Sequence, residues 1–315
     1  MTDCATRPAH GSNLGEFSPL GGSPQPQPHS MWPSWQRLVG LGRLARLSNS
    51  LPAAAAVLLG ARLATAGPPS ARAWLAAASM WSITAFGYAS NDFWDRTEDR
   101  INKPDRPLVT GVISPQAGRW WSMLLAAVAL SLAAALGWRE LTVAVIVIGL
   151  LILYSLRLKA TPGGGNLLIA LLAGATLVTG AVAAGGFSWS AILPVLPASF
   201  LLSTFIASRE LLKTLEDLTG DRIAGKQTAA VVYGEHAVVY LFAGLAMLTA
   251  LFSLLPVWRG DYSLLFLVLM TLGVLAPTLF TVGFLWRDAS PARVTFCLRL
   301  LKASYFIGLA ALLVA

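Results

Sequence analysis

The acidic residues of this chain are concentrated in two short windows. Nine of its fifteen Asp and Glu residues lie in these windows, and each window follows an apolar stretch. The first window holds Asp92, Asp95, Glu98, Asp99 and Asp105, and the second holds Glu210, Glu216, Asp217 and Asp221. Carboxylates at the end of an apolar stretch need water or a bound cation to stabilise them. Two such clusters at equivalent positions therefore predict a shared chemical role.

The spacing within the windows indicates what they bind. Asp92, Asp95 and Asp99 are three and four residues apart. Asp217 and Asp221 are four residues apart. In a helix each set lines one face, and like charges so close repel one another unless a cation lies between them. Because Mg²⁺ is typically held by a few carboxylates together with substrate phosphates, we predict that these five aspartates are the metal ligands and catalytic residues of a diphosphate site.

Basic residues flank both windows and could neutralise the oxygens of a departing pyrophosphate. They are Arg100, Lys103 and Arg106 after the first window, and Lys213, Arg222 and Lys226 around the second. Among the substrate-binding residues we predict Lys103, Arg106, Lys213 and Lys226 at the phosphates and Asn91 at the metal or diphosphate. The alternative is a pair of solvated loops with ordinary salt bridges. That alternative explains one acidic window better than it explains two.

The composition identifies the kind of protein that must position these groups. Of 315 residues, 56% are hydrophobic and 12% are charged, with a mean hydropathy of +0.65. An average soluble domain carries about a quarter charged residues, so a soluble enzyme, a disordered chain and a disulfide scaffold are all disfavoured. The net charge of +8 comes from basic residues scattered between apolar stretches, which argues for a membrane protein and against a nucleic-acid partner.

Nine apolar stretches are each close to the ~20 residues that cross a bilayer as a helix. They cover residues 47–66, 73–90, 119–137, 141–158, 164–184, 190–208, 236–256, 262–286 and 294–315. The sequence thus predicts an all-α, polytopic membrane helical bundle with about nine transmembrane helices. Residues 1–35 are rich in Pro, Gly, Ser and Gln and are predicted to be a disordered tail, with Met31 as a candidate true start and residues 36–315 as the transmembrane domain.

The basic residues also predict the orientation of the bundle. With the N-terminus inside, nineteen Lys and Arg residues lie on the inner side and four on the outer side. Because inner loops of membrane proteins are enriched in Lys and Arg, we expect the N-terminus and both acidic windows to face the cytoplasm. The expected location is the plasma membrane of a bacterium or archaeon.

The two acidic motifs resemble the signatures of the UbiA superfamily of intramembrane prenyltransferases. The first runs from Asn91 through Asp99 and continues to Arg106-Pro107 and Gly111, and the second is Asp217-x-x-x-Asp221 followed by Gly225-Lys226-Gln227-Thr228. The nine spans and the four-span interval between the motifs are similar too, so the resemblance extends from about residue 37 to the end. Each motif alone is weakly specific, whereas the pair is specific.

The amino-acid sequence of the two motifs most resembles that of the geranylgeranylglycerol-phosphate geranylgeranyltransferase branch of the superfamily. The relevant stretches are Ile101-Asn102-Lys103-Pro104-Asp105-Arg106-Pro107 and Arg209-Glu210-Leu211-Leu212-Lys213, and Thr214 stands where that branch often has an acid. The resemblance also implies that Arg46 and Asn49 on the first span, and Tyr154, Arg157 and Lys159 at the end of the fourth, contribute to the substrate cavity. The alternative roles are snorkelling anchors, a capping side chain and an interfacial aromatic.

The expected reaction is Mg²⁺-dependent transfer of a prenyl group from a polyprenyl diphosphate to a lipid-soluble or amphipathic acceptor, such as a glycerol-phosphate ether lipid, with release of diphosphate. A membrane-embedded class I terpene cyclase would begin with the same ionisation and capture the cation within the prenyl chain. A non-enzymatic transporter is the second alternative, and it is disfavoured because the six spans from 119–137 to 262–286 lack charge at their centres. The sequence leaves the acceptor, the prenyl chain length and the oligomeric state open.

Overall fold

The computed structural model describes residues 33–315, and within that range it contains helices and no strands. The prediction of an all-α bundle is therefore confirmed. Met31 and nearly all of the predicted tail lie outside the described residues, and the first helix begins at Ser34.

Fifteen α-helices make up the described part of the chain, and several of the short ones lie in the loops that carry the acidic motifs. In chain order they are α1 (Ser34–Leu44), α2 (Leu47–Thr65), α3 (Ala71–Trp94), α4 (Arg96–Asn102), α5 (Pro107–Thr110), α6 (Pro115–Leu136), α7 (Trp138–Leu156), α8 (Gly164–Gly185), α9 (Trp189–Ile192), α10 (Leu196–Glu216), α11 (Leu218–Ile223), α12 (Ala229–Trp258), α13 (Leu264–Met270), α14 (Ala276–Leu285) and α15 (Pro291–Ala311). A 3₁₀ turn joins α9 to α10, and a π-helical turn joins α13 to α14, so that each pair forms one membrane-length segment.

Eight helical segments among residues 33–315 are long and apolar enough to cross a membrane. The remaining predicted span, residues 73–90, forms the 24-residue α3, which has the length of a span and carries Arg72, Asn91 and Asp92 near its ends. The stretch predicted at 236–256 begins earlier, at Ala229, and bends at Gly234, where φ is 81°. Glycine adopts this positive φ without steric cost, which allows the helix to continue past the bend.

Glycines allow two of the long helices, α2 and α10, to pack closely against α8. A Cβ atom on Gly60 of α2 would lie 1.9 Å from the Leu177 carbonyl oxygen of α8, and one on Gly180 of α8 would lie 1.8 Å from the Val57 carbonyl oxygen of α2. On another face of α8, a Cβ atom on Gly174 would lie 2.5 Å from the Ser199 carbonyl oxygen of α10. Small residues allow such close backbone approach between membrane helices. Helix α8 therefore ties the α2–α3 half of the bundle to α10.

The loops that follow α3, α7 and α10 meet at one end of the bundle. Helix α4 of the first loop packs against α11 of the third. The backbone N–H of Gln227, in the loop after α11, donates to the Ala160 carbonyl oxygen in the loop after α7 at 3.0 Å. Three segments that are far apart in sequence thus form one surface, and it carries both acidic motifs.

Candidate active site

The first acidic motif lies at the junction of α3 and α4. The Asp95 N–H donates to the Asn91 carbonyl oxygen at 2.9 Å, and the Asp99 N–H donates to the Asp95 carbonyl oxygen at 2.8 Å. These bonds carry helical spacing across the junction, and the Arg106 guanidinium contacts both Asp92 and Asp99. The first-motif aspartates are buried, with only 3–5% of each residue exposed. They share one face, as the spacing predicted.

The second acidic motif lies at the junction of α10 and α11. Asp217 follows the last residue of α10, and the Asp221 N–H donates to its carbonyl oxygen at 2.9 Å. Asp221 is buried, whereas the Asp217 side chain is 21% exposed. One helical turn therefore separates the two carboxylates, again as the spacing predicted.

Reciprocal ion pairs connect the two motifs. Lys103, which follows the first motif, contacts Asp217 with 3.0 Å between Nζ and Oδ1. Lys226, which follows the second motif, lies 3.5 Å from Asp95 Oδ1 and 2.9 Å from Glu98 Oε1. The loops can approach this closely because Gly220 has no side chain, since a Cβ atom there would lie 2.2 Å from Asn102 Nδ2. The two motifs thus belong to a single site.

Two further cations reach this site from other helices. Arg46 precedes α2 with a left-handed φ of 45°, and its Nη2 lies 2.5 Å from Asp92 Oδ1. Its guanidinium also stacks 4.7 Å from the centre of the Tyr88 ring. Lys159, after α7, contacts Asp95. A non-glycine residue in the left-handed region is strained and often marks a functional position, which agrees with the role that the resemblance implied for Arg46.

Two of the carboxylates, Asp99 and Asp221, lie in surroundings that disfavour their ionised forms. Burial raises the pKa of Asp99 to about 6, and the nearby Asp95 and Asp92 carboxylates add to this effect. Burial and the neighbouring Asp217 raise the pKa of Asp221 above its ordinary value. Asp95 behaves differently: burial alone would raise its pKa, but Lys159 and Lys226 hold it below the ordinary value. An excess of closely spaced carboxylates is the electrostatic setting in which a divalent cation binds.

The donor atoms fit a hard cation by type. Besides the carboxylate oxygens, Asn91 Oδ1 is buried and has no hydrogen-bond partner within residues 33–315, while Asn91 Nδ2 donates to Asp95 at 2.7 Å. An unpaired buried oxygen of this kind is costly unless a ligand satisfies it. Over the same residues, no three acidic, His or Cys side chains converge on one point. The Lys and Arg side chains described above instead form ion pairs with the carboxylates.

The remaining predicted residues lie around this centre. Lys213 pairs with Glu210 and has no ion pair with the aspartates. Tyr154, in the last turn of α7, lies near Glu210 and Asp95. Asn49 is half-buried one turn into α2 and makes no side-chain hydrogen bond to any residue from 33 to 315, and Arg157 is exposed. The structure therefore brings eleven of the fifteen predicted residues into one charged centre, with Lys213, Tyr154 and Asn49 beside it and Arg157 exposed.

Comparison with known proteins agrees with this arrangement. Residues 53–304 match the model of the UbiA prenyltransferase family. The chain belongs to this family. A digeranylgeranylglyceryl phosphate synthase of Halobacterium salinarum is 36% identical over 270 residues, which cover 85% of this chain and 96% of that protein.

Solved structures also resemble this UbiA family member. A structure described as digeranylgeranylglyceryl phosphate synthase in membranes superposes with a TM-score of 0.68 at 25% identity, covering 89% of this chain and 98% of that one. A UbiA homologue from Archaeoglobus fulgidus bound to GPP and Mg²⁺ gives a TM-score of 0.61 at 20% identity, covering 87% of this chain and all of that one. The second likeness shows the shared fold.

Sequence reasoning gave no individual role to three residues next to the centre: Tyr88, Arg209 and Glu210. Tyr88 lies one turn before Asp92 and supports Arg46. Arg209 and Glu210 lie together inside the membrane-length segment that contains α10. Charged residues inside a span are rare and often functional, so the position of Arg209 and Glu210 was the signal that could have identified them.

Proposed function

We propose that this chain transfers a prenyl group from a polyprenyl diphosphate to a hydroxyl of a glycerol-phosphate ether lipid and releases diphosphate. The observation that carries the proposal is the pair of acidic motifs linked by the Lys103–Asp217 and Lys226–Asp95 ion pairs. The similarity to the digeranylgeranylglyceryl phosphate synthase of Halobacterium salinarum supports the choice of acceptor.

Mg²⁺ is the cofactor of the proposed reaction, and its ligands would be Asp92, Asp95, Asp99, Asp217 and Asp221, with Asn91 in support. The buried carboxylates and the unpaired Asn91 Oδ1 support this assignment, as does the Archaeoglobus fulgidus homologue bound to GPP and Mg²⁺. The bound metal would stabilise the negative charge that develops on the leaving diphosphate.

The basic side chains of the site would act on the same leaving group. Lys103, Arg106, Lys159 and Lys226 already lie against the carboxylates, from which they can donate to phosphate oxygens. The bond between the allylic carbon and the diphosphate oxygen breaks, and its electron pair leaves with diphosphate. The acceptor hydroxyl oxygen forms the new ether bond to that carbon, and its proton passes to the departing diphosphate. Cations fixed near the leaving oxygens stabilise the transition state more than the ground state.

The prenyl chain would lie among the apolar helices below the site. A cavity of about 190 Å³ lies between α3, α6, α7 and α8, and most of its lining is apolar, including Met80, Ile83 and Val147. Ile83 precedes Asp92 by nine residues, or about 13 Å along a helix with ~1.5 Å rise per residue. This distance suits the distal part of a long prenyl chain. An apolar wall would also keep water from the allylic cation until the acceptor attacks.

The site would face the cytoplasm. The bundle end that carries Lys103, Lys159 and Lys226 also carries most of the basic residues of the chain, and basic loops stay on the inner side of the membrane. The archaeal relative supports a plasma-membrane location.

The proposal is tested with purified protein in detergent and labelled geranylgeranyl diphosphate, with Mg²⁺ or with EDTA. The acceptors are a prenylated glycerol phosphate, an aromatic acid, a quinone precursor, a tetrapyrrole and none. The expected result is Mg²⁺-dependent ether formation on the glycerol phosphate. Hydrocarbon or alcohol formed at the same rate without acceptor would indicate a terpene cyclase instead. No consumption of donors of any chain length by folded protein would favour a non-enzymatic role.

A further inference from the structure

A second charged cluster lies in α10 beside the aspartate site. It consists of Arg209, Glu210 and Lys213. Glu210 contacts Lys213, and its Oε1 lies 3.6 Å from Arg209 Nη1. One carboxylate is therefore shared by two cations. Arg209 Nε is also buried and has no hydrogen-bond partner in the described part of the chain.

The cluster lies deeper in the bundle than the second acidic motif. Lys213 precedes Asp217 by four residues and Arg209 precedes it by eight, or about 6 and 12 Å along the helix axis at ~1.5 Å per residue. The two cations are four residues apart and so lie on one face of α10. Tyr88 of α3 contacts Arg46 of the aspartate site and also lies near Arg209 and Glu210, so the cluster adjoins the aspartate site.

The two groups of charges suit different ligands. The aspartate site contains six carboxylates and five cations. The carboxylates are Asp92, Asp95, Glu98, Asp99, Asp217 and Asp221, and the cations are Arg46, Lys103, Arg106, Lys159 and Lys226. This excess of negative charge suits a diphosphate that arrives with metal ions. In the α10 cluster two cations face one carboxylate, an excess of positive charge that suits a bare anion.

We propose that Arg209 and Lys213 bind the phosphate of the acceptor lipid directly, without a metal ion, while the acidic motifs hold the diphosphate of the donor. This assignment rests on the function proposed above. The phosphate and the attacking hydroxyl of a glycerol phosphate belong to the same three-carbon unit, so a second anion site must lie close to the diphosphate. A guanidinium with an unpaired Nε can offer two parallel N–H donors to a phosphate. The cluster would then select acceptors that carry a phosphate.

Kinetics of Arg209→Gln and Lys213→Gln test the assignment, with the prenylated glycerol phosphate and the same lipid without its phosphate as acceptors. Each variant should raise the KM for the phosphorylated acceptor by about tenfold to a hundredfold, the usual effect of losing one charged hydrogen bond. The KM for geranylgeranyl diphosphate should stay unchanged, and the preference for the phosphorylated acceptor over the lipid without phosphate should shrink. Lys213→Arg, which keeps the positive charge, should restore that preference. Arg287→Gln, an exposed position in the loop after α14, is the matched control. A rise in the KM of the donor alone would overturn the assignment.

Binding to the wild-type protein gives a second test that requires no turnover. In EDTA, the prenylated glycerol phosphate should raise the melting temperature in detergent, whereas the lipid without phosphate should raise it much less. Stabilisation that appears only with Mg²⁺, or equally with both lipids, would contradict metal-free phosphate binding. If the wild-type enzyme transfers no prenyl group to either lipid, the proposed function fails, and this binding difference and its loss in Lys213→Gln still decide the anion site.

Discussion

At the scale of single residues, most of the buried charges of the site form ion pairs. Asp92 lies between Arg46 and Arg106, and Asp95 lies between Lys159 and Lys226. Removing one partner of a buried pair leaves an uncompensated charge, which costs about 3–5 kcal/mol of stability. Loss of activity after mutation of Asp92 or Asp95 would therefore combine effects on folding and on chemistry. Asp217 is more exposed and has Lys103 as its ion-pair partner, which makes it the cleaner probe.

We predict that Asp217→Asn lowers kcat roughly 10²–10³-fold, the usual cost of removing one electrostatic group that stabilises a transition state. The melting temperature in detergent should change little, because the side chain is partly exposed. The measurement is product formation at saturating Mg²⁺ and donor, alongside the thermal transition.

Asp105→Asn is the matched control for this prediction. Asp105 lies in the same surface with its side chain 80% exposed and pairs with Arg43, so its loss should leave kcat within about twofold, as expected for a surface ion pair. Equal activity of the two variants would refute the metal-ligand role of Asp217.

At the scale of elements, the site depends on how closely the long helices approach one another. Helix α8 packs against α2 and α10 through glycines whose missing side chains leave room for neighbouring carbonyl groups. These contacts fix α10, and therefore the second acidic motif, relative to the helices that carry Arg46 and the first motif. The distance between the motifs is thus set well inside the bundle, away from the charged residues.

Gly180→Ala is expected to destabilise the bundle, because its Cβ atom would lie 1.8 Å from the Val57 carbonyl oxygen and 2.8 Å from the Ala61 backbone nitrogen. Backbone atoms cannot rotate away, so the helices must separate, at a cost of at least about 1–3 kcal/mol. Gly149→Ala in α7 is the control, since nothing lies within 4 Å of its new Cβ atom and alanine favours a helix by ~1 kcal/mol. Thermal denaturation in detergent compares the two, and equal stability would argue against this packing.

At the scale of the whole molecule, the order of the helices decides which loops meet. The first acidic motif follows α3 and the second follows α10, and the membrane-length segments between them return the chain to the same end. Asp105 lies at this end, whereas Asp261 lies beyond the far end of the 30-residue α12. Together with the basic residues in the loops at the end that carries the site, this topology leads to the proposed orientation, in which Asp105 lies on the cytoplasmic side and Asp261 on the outer side.

Single cysteines at positions 105 and 261 test that orientation in a chain whose two native cysteines, Cys4 and Cys297, are replaced by serine. A membrane-impermeant maleimide added to intact cells should label Asp261→Cys and should leave Asp105→Cys unlabelled until the membrane is opened. The reverse pattern would place the site on the outer side and contradict the proposed orientation.

Features that depend only on neighbouring residues could be predicted from the amino-acid sequence alone. Apolar runs near twenty residues identified the membrane helices, and spacings of three and four placed Asp92, Asp95 and Asp99 on one face, because helical geometry repeats locally. The start of α12 at Ala229 was not predicted, because the bend at Gly234 interrupts the local helical pattern.

The pairing of residues that are distant in sequence, in contrast, depends on how the helices pack in three dimensions. Lys159 could pair with Asp95, and Lys103 with Asp217, only after the packing of several helices was known. The same packing assigned Lys213 to Glu210 rather than to the aspartates and left Arg209 Nε unpaired. Ion pairing depends on the distance between charges and on their burial, and for residues separated by whole membrane helices both are set by the close contacts of α2, α8 and α10.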